Sequence, residues 1–348
     1  MLFRSRVNSI LFRCDGAEDI GLGHIVRCLA LAEELQVGYD CRITFAVHRG
    51  KPGIDMIKDK GYPVITVINN LDFFNQEEFL KNAVQESGCN VVIMDFRENI
   101  SLDFLHSLRK QGIILVDIDD PQEKRLAADL AFYPPVPQVE RMDWSGFQGQ
   151  LMVGWEWVIL RKEFITMANQ QQIPKERLHL LVTMGGSDPA GFTLTVIEAL
   201  DLLEVDFDTT VVLGAAFSWE KELKSLLVRT KRKFRILRSV ENMAGVMAQA
   251  DLAIASFGMT AYELACMGIP ALYMCLTDDH AESCQAFVDA GIAVNLGRDH
   301  SIKKIANQIS LLLWDGKYRD GMKANGKKVI DGYGAQRIWA EINKILIT

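Results

Sequence analysis

The sequence predicts an α/β protein of two domains, each a doubly wound parallel sheet. Short apolar runs of strand length alternate with helical or polar segments along the chain. In both halves a glycine-bearing turn follows a strand and precedes a helix. The 348 residues, 49% of them hydrophobic, suffice for two domains that each bury a core.

The first element is the apolar run 10–12, which reads as a strand leading into Asp15-Gly16-Ala17-Glu18-Asp19-Ile20-Gly21-Leu22-Gly23-His24. Beyond it Ile25, Cys28, Leu29, Ala32 and Leu35 share one helical face. Gly21 and Gly23 permit a tight turn and close approach of a ligand to the backbone. The helix that starts near His24 offers unpaired N–H groups and a positive dipole end, which suits an anion. An imidazole, with an ordinary pKa of ~6.5, exchanges protons at neutral pH. The alternative for His24 is a helix-capping or core-edge histidine.

Further strands are expected at 41–47, 62–67, 91–94 and 113–116, giving a sheet whose ligands sit beyond the carboxyl ends of its strands. Asp95, followed by Phe96 and Arg97, and the run Asp117-Ile118-Asp119-Asp120 stand at two such ends. They read either as caps and loop acceptors or as contacts to sugar hydroxyls and amides. Neither their spacing nor a nearby histidine supports a closed metal site, so no metal is expected. From 131 to 157 the prolines and Trp144, Trp155 and Trp157 predict irregular chain, with the aromatics packed at a domain junction. A polar, proline-bearing linker at 166–176 then divides a first domain, 1–165, from a second, 177–348.

The second domain opens on a strand at 178–183, the turn Gly185-Gly186-Ser187-Asp188-Pro189 and a helix at 191–202. Strands at 209–213 and 234–237 follow, and Val240, Glu241 and Asn242 lead into a helix. Next, a strand ends at Ser256-Phe257-Gly258 and a helix begins near Met259 or Thr260. That helix start, with the Thr260 hydroxyl, offers donors to a diphosphate without a Walker-type lysine. Glu263 could accept both hydroxyls of a ribose, or simply favour the helix dipole. A strand at 271–276 delivers Thr277-Asp278-Asp279-His280 as a loop at its carboxyl end. An amphipathic helix at 335–347 closes the second domain.

A net charge of -7 argues against nucleic acid or an anionic membrane as partner. No apolar stretch approaches the ~20 residues of a membrane span, and no leader segment is evident. Seven scattered cysteines without a C-x-x-C pair indicate a reducing, cytoplasmic setting. No cofactor is expected.

The motifs Arg13-Cys14-Asp15, Gly21-Leu22-Gly23-His24-Ile25-Val26-Arg27-Cys28-Leu29, Gly185-Gly186-Ser187-Asp188-Pro189, Gly258-Met259-Thr260-Ala261-Tyr262-Glu263, Gly268-Ile269-Pro270 and Asp331-Gly332-Tyr333-Gly334 run in order along nearly the whole chain. Together they resemble the family of the pseudaminic acid pathway UDP-sugar hydrolase PseG and the spore coat polysaccharide protein SpsG. More distantly, the second half is similar to the UDP-binding half of MurG-type glycosyltransferases. The resemblance implies a GT-B architecture of two Rossmann-like domains facing a cleft. It also implies metal-independent release of UDP, with inversion, from a 2,4-diacetamido-2,4,6-trideoxy sugar.

In that resemblance His24 is the base on the attacking water, with Asp15 in the catalytic group. Arg13, Gly21, Gly23, Arg27, Asp95, Gly185, Gly186, Ser187, Asp188, Asp279 and His280 become candidates for the sugar side. Val240, Ser256, Gly258, Met259, Thr260 and Glu263 become candidates for the nucleotide, with Glu263 on the ribose. Three features depart from the family, one being that its usual small residues before the second-domain helix include Phe257 and Met259 here. Its Asp-x-Tyr is here Asp95-Phe96-Arg97, and its Asn-Gln pair is Asp279-His280. Two rival readings keep the fold: a glycosyltransferase that passes the sugar to an acceptor, and a non-catalytic nucleotide-sugar-binding partner of another pathway enzyme.

Overall fold

The computed structural model describes residues 8–16, 21–67, 75–170, 175–238, 240–298 and 301–347. Residues 17–20 of the opening motif and 171–174 of the expected linker lie outside them. The chain divides into two compact units, Met1–Arg161 with Gly332–Thr348, and Lys162–Asp331.

The first unit holds seven strands: β1 (Ser9–Cys14), β2 (Arg42–Val47), β3 (Val64–Thr66), β4 (Val91–Asp95), β5 (Ile114–Ile118), β6 (Leu130–Tyr133) and β7 (Gln150–Val153). Their order is β3-β2-β1-β4-β5-β6-β7, and every pairing is parallel. In β1 the pleat sends Ile10 and Phe12 to one face, under the helix Gly23–Tyr39, and Leu11 to the other, under the helices Gln76–Ser87 and Leu102–Lys110. Burial on both faces explains why these strands read as continuous apolar runs. The strand order reverses between β1 and β4, so the crevice for a ligand lies at their carboxyl ends.

Two strands occur where the sequence predicts irregular chain. β6 and β7 are four residues each, and the edge strand β7 is largely exposed, so neither writes a clear pattern. The aromatics of this stretch pack within the first unit: Trp157 lies 5.2 Å from Phe132, and Trp144 meets Tyr133 edge-on at 5.6 Å.

The domain boundaries also differ from expectation. The helix Lys162–Ala168 belongs to the second unit, and the terminal helix Gly334–Leu346 belongs to the first, where it buries Ala335, Ile338, Trp339 and Ile342. Trp339 packs on Tyr39 at 5.2 Å. An amphipathic stripe announces that a helix docks without saying on which core, and chain order suggested the wrong one.

The second unit holds β8 (His179–Thr183), β9 (Asp208–Leu213), β10 (Arg235–Arg238), β11 (Leu252–Ser256), β12 (Ala271–Met274) and β13 (Ala293–Gly297). The order is β10-β9-β8-β11-β12-β13, again all parallel, with its reversal between β8 and β11. Asp279 and His280 do not form a loop. They occupy the first turn of the helix Asp278–Asp289, whose N-cap Thr277 accepts a hydrogen bond from the His280 N–H at 3.1 Å.

Candidate functional site

In the first unit the candidate residues gather at the reversal of strand order. His24 stands in the first turn of the helix Gly23–Tyr39, whose N-cap Leu22 provides no side-chain cap. Its Nδ1 lies 2.6 Å from Oδ1 of Asp95, the last residue of β4. Arg27, one turn along the helix, grips the same carboxylate in two places, Nε to Oδ2 at 2.9 Å and Nη2 to Oδ1 at 2.7 Å. The Cys28 thiol donates to Oδ2 at 3.6 Å.

Burial alone would raise the Asp95 pKa, but the charges of Arg27 and then His24 overrule it and hold Asp95 well below the usual carboxylate range. An ionised carboxylate only accepts. The proton of the pair therefore sits on Nδ1 of His24, so in the neutral imidazole Nε2 carries the lone pair. Among the described residues only Asp95 bonds this imidazole. With four donors on its two oxygens and 1% exposure, Asp95 has no face left for a sugar. Its contacts are with His24, Arg27 and Cys28 of the helix, where the sequence reading expected a sugar.

Arg13 and Asp15 lie beneath this group. Arg13 is fully buried, with Nη2 2.7 Å from Oδ2 of Asp15 and its guanidinium 4.4 Å over the Phe96 ring. Oδ1 of Asp15 accepts the backbone N–H groups of His48 and Arg49, both at 2.8 Å. This ties the end of β1 to the end of β2. Both side chains are buried, Asp15 at 1% exposure, with these protein partners around them. Gly21 has φ 75, a backbone that favours glycine.

Arg27 spans two acids: its Nη1 donates to Oδ2 of Asp119 at 2.8 Å. Asp119 is a member of the site that sequence reasoning did not select. It lies in the acidic run after β5, where no spacing separates it from Asp117, a buried acid whose pKa is raised by burial and then by Asp120. Arg97, at the family's tyrosine position, donates to the Asp119 carbonyl at 2.8 Å. Phe96 is buried between Arg13 and Lys124, whose Nζ stands 4.5 Å from the ring.

In the second unit Gly185, Gly186 and Ser187 are exposed after β8, and Ser256 and Gly258 border the end of β11. A Cβ on Gly186 or Gly258 would meet nothing within 4 Å, and one on Gly185 only the Ser256 hydroxyl at 3.6 Å. Open space thus lies against backbone at this second reversal. No side chain caps the helix Met259–Cys266, whose first turn carries Met259 and Thr260. Glu263 is buried, at 7% exposure.

Four candidates stand elsewhere. Asp188 is 2% exposed and accepts the N–H groups of Phe192 and Thr193 at 2.8 and 2.9 Å, so it caps a helix rather than reaching a sugar. Val240 follows β10, separated from β11 by β9 and β8. His280 approaches the turn through Phe257, with ring centroids 6.2 Å apart, while Asp279 is exposed on the outer side of its helix turn.

The glycines yield a paired prediction. Gly258 is extended, with φ 164, and has room for a methyl group. Gly258→Ala should leave the melting temperature within about 2 °C, a ΔΔG within ~0.5 kcal/mol, yet weaken UDP at least tenfold by calorimetry. A Cβ on Gly214 would instead lie 2.2 Å from the Gly186 carbonyl oxygen. Gly214→Ala should cost about 1–3 kcal/mol by displacing that loop.

Comparison with known proteins follows the same division. No family model matches the chain. It is 24% identical to the spore coat polysaccharide biosynthesis protein SpsG of Bacillus subtilis over 94% of this chain and 95% of that one. The chain is a relative of SpsG. It is 23% identical to the UDP-2,4-diacetamido-2,4,6-trideoxy-beta-L-altropyranose hydrolase of Campylobacter jejuni, covering 71% of this chain and 84% of the hydrolase. Protein MJ1062 of Methanocaldococcus jannaschii is 31% identical over 75% of this chain, which spans about half, 54%, of that longer relative. MurG of Acinetobacter baumannii superposes with a TM-score of 0.68 at 17% identity, covering 97% of this chain and 99% of MurG. The fold is that of the GT-B glycosyltransferases, and the chain is related to proteins that process sugar nucleotides in polysaccharide biosynthesis. Among the described residues no helix is long and apolar enough to cross a membrane.

Proposed function

We propose that this chain is a hydrolase that releases UDP from a UDP-linked acetamido or diacetamido trideoxy sugar, in surface polysaccharide or nonulosonic acid biosynthesis. The observation that carries the reading is the His24–Asp95 pair at 2.6 Å, which leaves Nε2 as a base aimed away from its partner. As water attacks the anomeric carbon, Nε2 takes its proton, the new C–O bond forms, and the bond to the diphosphate breaks with its electron pair leaving on UDP. The exposed glycine turn and the first turn of the helix Met259–Cys266 take the growing charge of the diphosphate. Glu263 holds the ribose in this reading. The seven cysteines, all buried free thiols, fit a reducing cytoplasm.

The related transferase fold favours a second reading, in which Nε2 deprotonates an acceptor hydroxyl instead of water. One experiment separates them. UDP release is measured from a panel of UDP-linked 2-acetamido and 2,4-diacetamido sugars, with EDTA present and with or without acceptor. The hydrolase reading expects acceptor-free turnover on at least one 2,4-diacetamido substrate. Release that needs an acceptor makes the chain a transferase, and UDP binding without release from any substrate makes it a silent binding partner.

A further inference from the structure

We propose that Asp119 is a positioning residue of the His24 site, acting through Arg27 to favour the protonated imidazole that forms when His24 works as a base. This rests on the reading of His24 given above. The four groups form a chain: Nδ1 of His24 on Asp95 at 2.6 Å, Asp95 gripped by Arg27 at 2.7 and 2.9 Å, and Arg27 on Asp119 at 2.8 Å. The charges of Asp95 and Arg27 cancel. A simple carboxylate–histidine pair would stabilise the imidazolium with a full negative charge, but here the guanidinium has spent that charge. Asp119 restores it, so that the set with a charged His24 is neutral overall.

The backbone of Asp119 is an independent sign that its place is specified. It has φ 55, in the left-handed region that costs a residue with a side chain and that clusters at functional sites. Three partners hold it there. Its N–H donates to the Phe132 carbonyl at 2.9 Å, its own carbonyl takes Nη1 of Arg97 at 2.8 Å, and its carboxylate takes Arg27. Its side chain is 31% exposed, against 1% for Asp95, so the extra charge stands at the rim of the network.

Other charged or titratable groups lie on this helix and on the elements around it. Arg27 and Cys28 share its helix, and Cys14 ends β1 against Cys28. His48 and Arg49 follow β2, Lys51 and Asp55 lie on the helix Lys51–Asp59, and Arg97 and Asp120 follow β4 and β5. Arg337, Glu341 and Lys344 lie on the helix Gly334–Leu346, which packs on the same helix as His24. Among the described residues none of these bonds the imidazole, whereas Asp119 reaches it through three hydrogen-bonded links, by way of Arg27 and Asp95.

The test is Asp119→Asn, which keeps an oxygen for Arg27 and tolerates the left-handed backbone, so the melting temperature should not move. The imidazole of His24 is titrated by NMR in the free wild-type and variant proteins. The midpoint is expected to fall by about half a pH unit, the effect of one partly screened charge at this remove. On a turned-over UDP-sugar, the acid limb of kcat/KM should move the same way while KM stays within about twofold. Superimposable titrations overturn the proposal. So does a raised KM with an unmoved acid limb, which makes Asp119 a substrate contact. Because the titration needs no turnover, failure to hydrolyse any UDP-sugar would overturn the proposed reaction while the titration still decides the place of Asp119.

Discussion

His24→Asn should lower UDP release by about 10²- to 10⁴-fold, the contribution of a placed general base, while leaving UDP affinity within about threefold. Asparagine is the informative replacement because its amide N–H can donate to Asp95 much as Nδ1 does at 2.6 Å, so the buried carboxylate keeps a partner. What is lost is the second nitrogen, Nε2, which in this reading takes the proton from water. The separation of rate from binding follows from where the residues stand. His24 belongs to the first unit, and the glycine turn and helix assigned to the nucleotide belong to the second. Single-turnover release and calorimetry on the same preparation check both halves. Full activity in folded His24→Asn would remove the imidazole from the mechanism. Equal loss of rate and UDP affinity would mean that His24 binds nucleotide.

The legible parts of this fold were those with a strong local signature. β1, β4, β8 and β11 are buried on both faces, so each wrote an uninterrupted apolar run, and the turns after β1 and β8 carry Gly21 and Gly185 in the left-handed backbone that favours glycine. The strands β6 and β7 were hidden by their four-residue length and by the prolines and tryptophans around them. In the site, Asp15, Asp95, Asp119 and Asp188 are all acids that follow or end strands, and sequence reasoning selected the first, second and fourth but not Asp119. Three-dimensional partners separate them. Asp15 and Asp188 each satisfy two backbone N–H groups, Asp95 is saturated by side chains, and Asp119 holds one link to Arg27 in a left-handed backbone. Apart from Asp188, whose partners lie four and five positions on, each outcome depends on a neighbour distant in sequence, such as Arg27 and Asp95, 68 positions apart, which no local pattern encodes.

Asp95→Ala should be the most damaging single change in the first unit, costing about 3–5 kcal/mol and nearly all turnover. The cost comes from what is left behind more than from what is removed. Arg27 is buried, its charge is raised in stability by Asp95 and Asp119 against the pull of burial, and loss of the carboxylate strands it with only the rim acid. The same residue makes the fold sensitive to acid in a defined direction. Because the folded protein holds the Asp95 pKa below its unfolded value of ~3.9, its stabilisation is complete above that pH and is lost as the pH falls toward the lower folded value. Wild-type stability should therefore decline below about pH 4, and Asp95→Asn, which cannot ionise, should be less stable at pH 7 with a shallower decline. Urea unfolding of the two proteins from pH 3 to 7 reads both effects. Parallel pH curves would show that Asp95 does not carry the acid sensitivity, and equal stability at pH 7 would show that Arg27 is content without it.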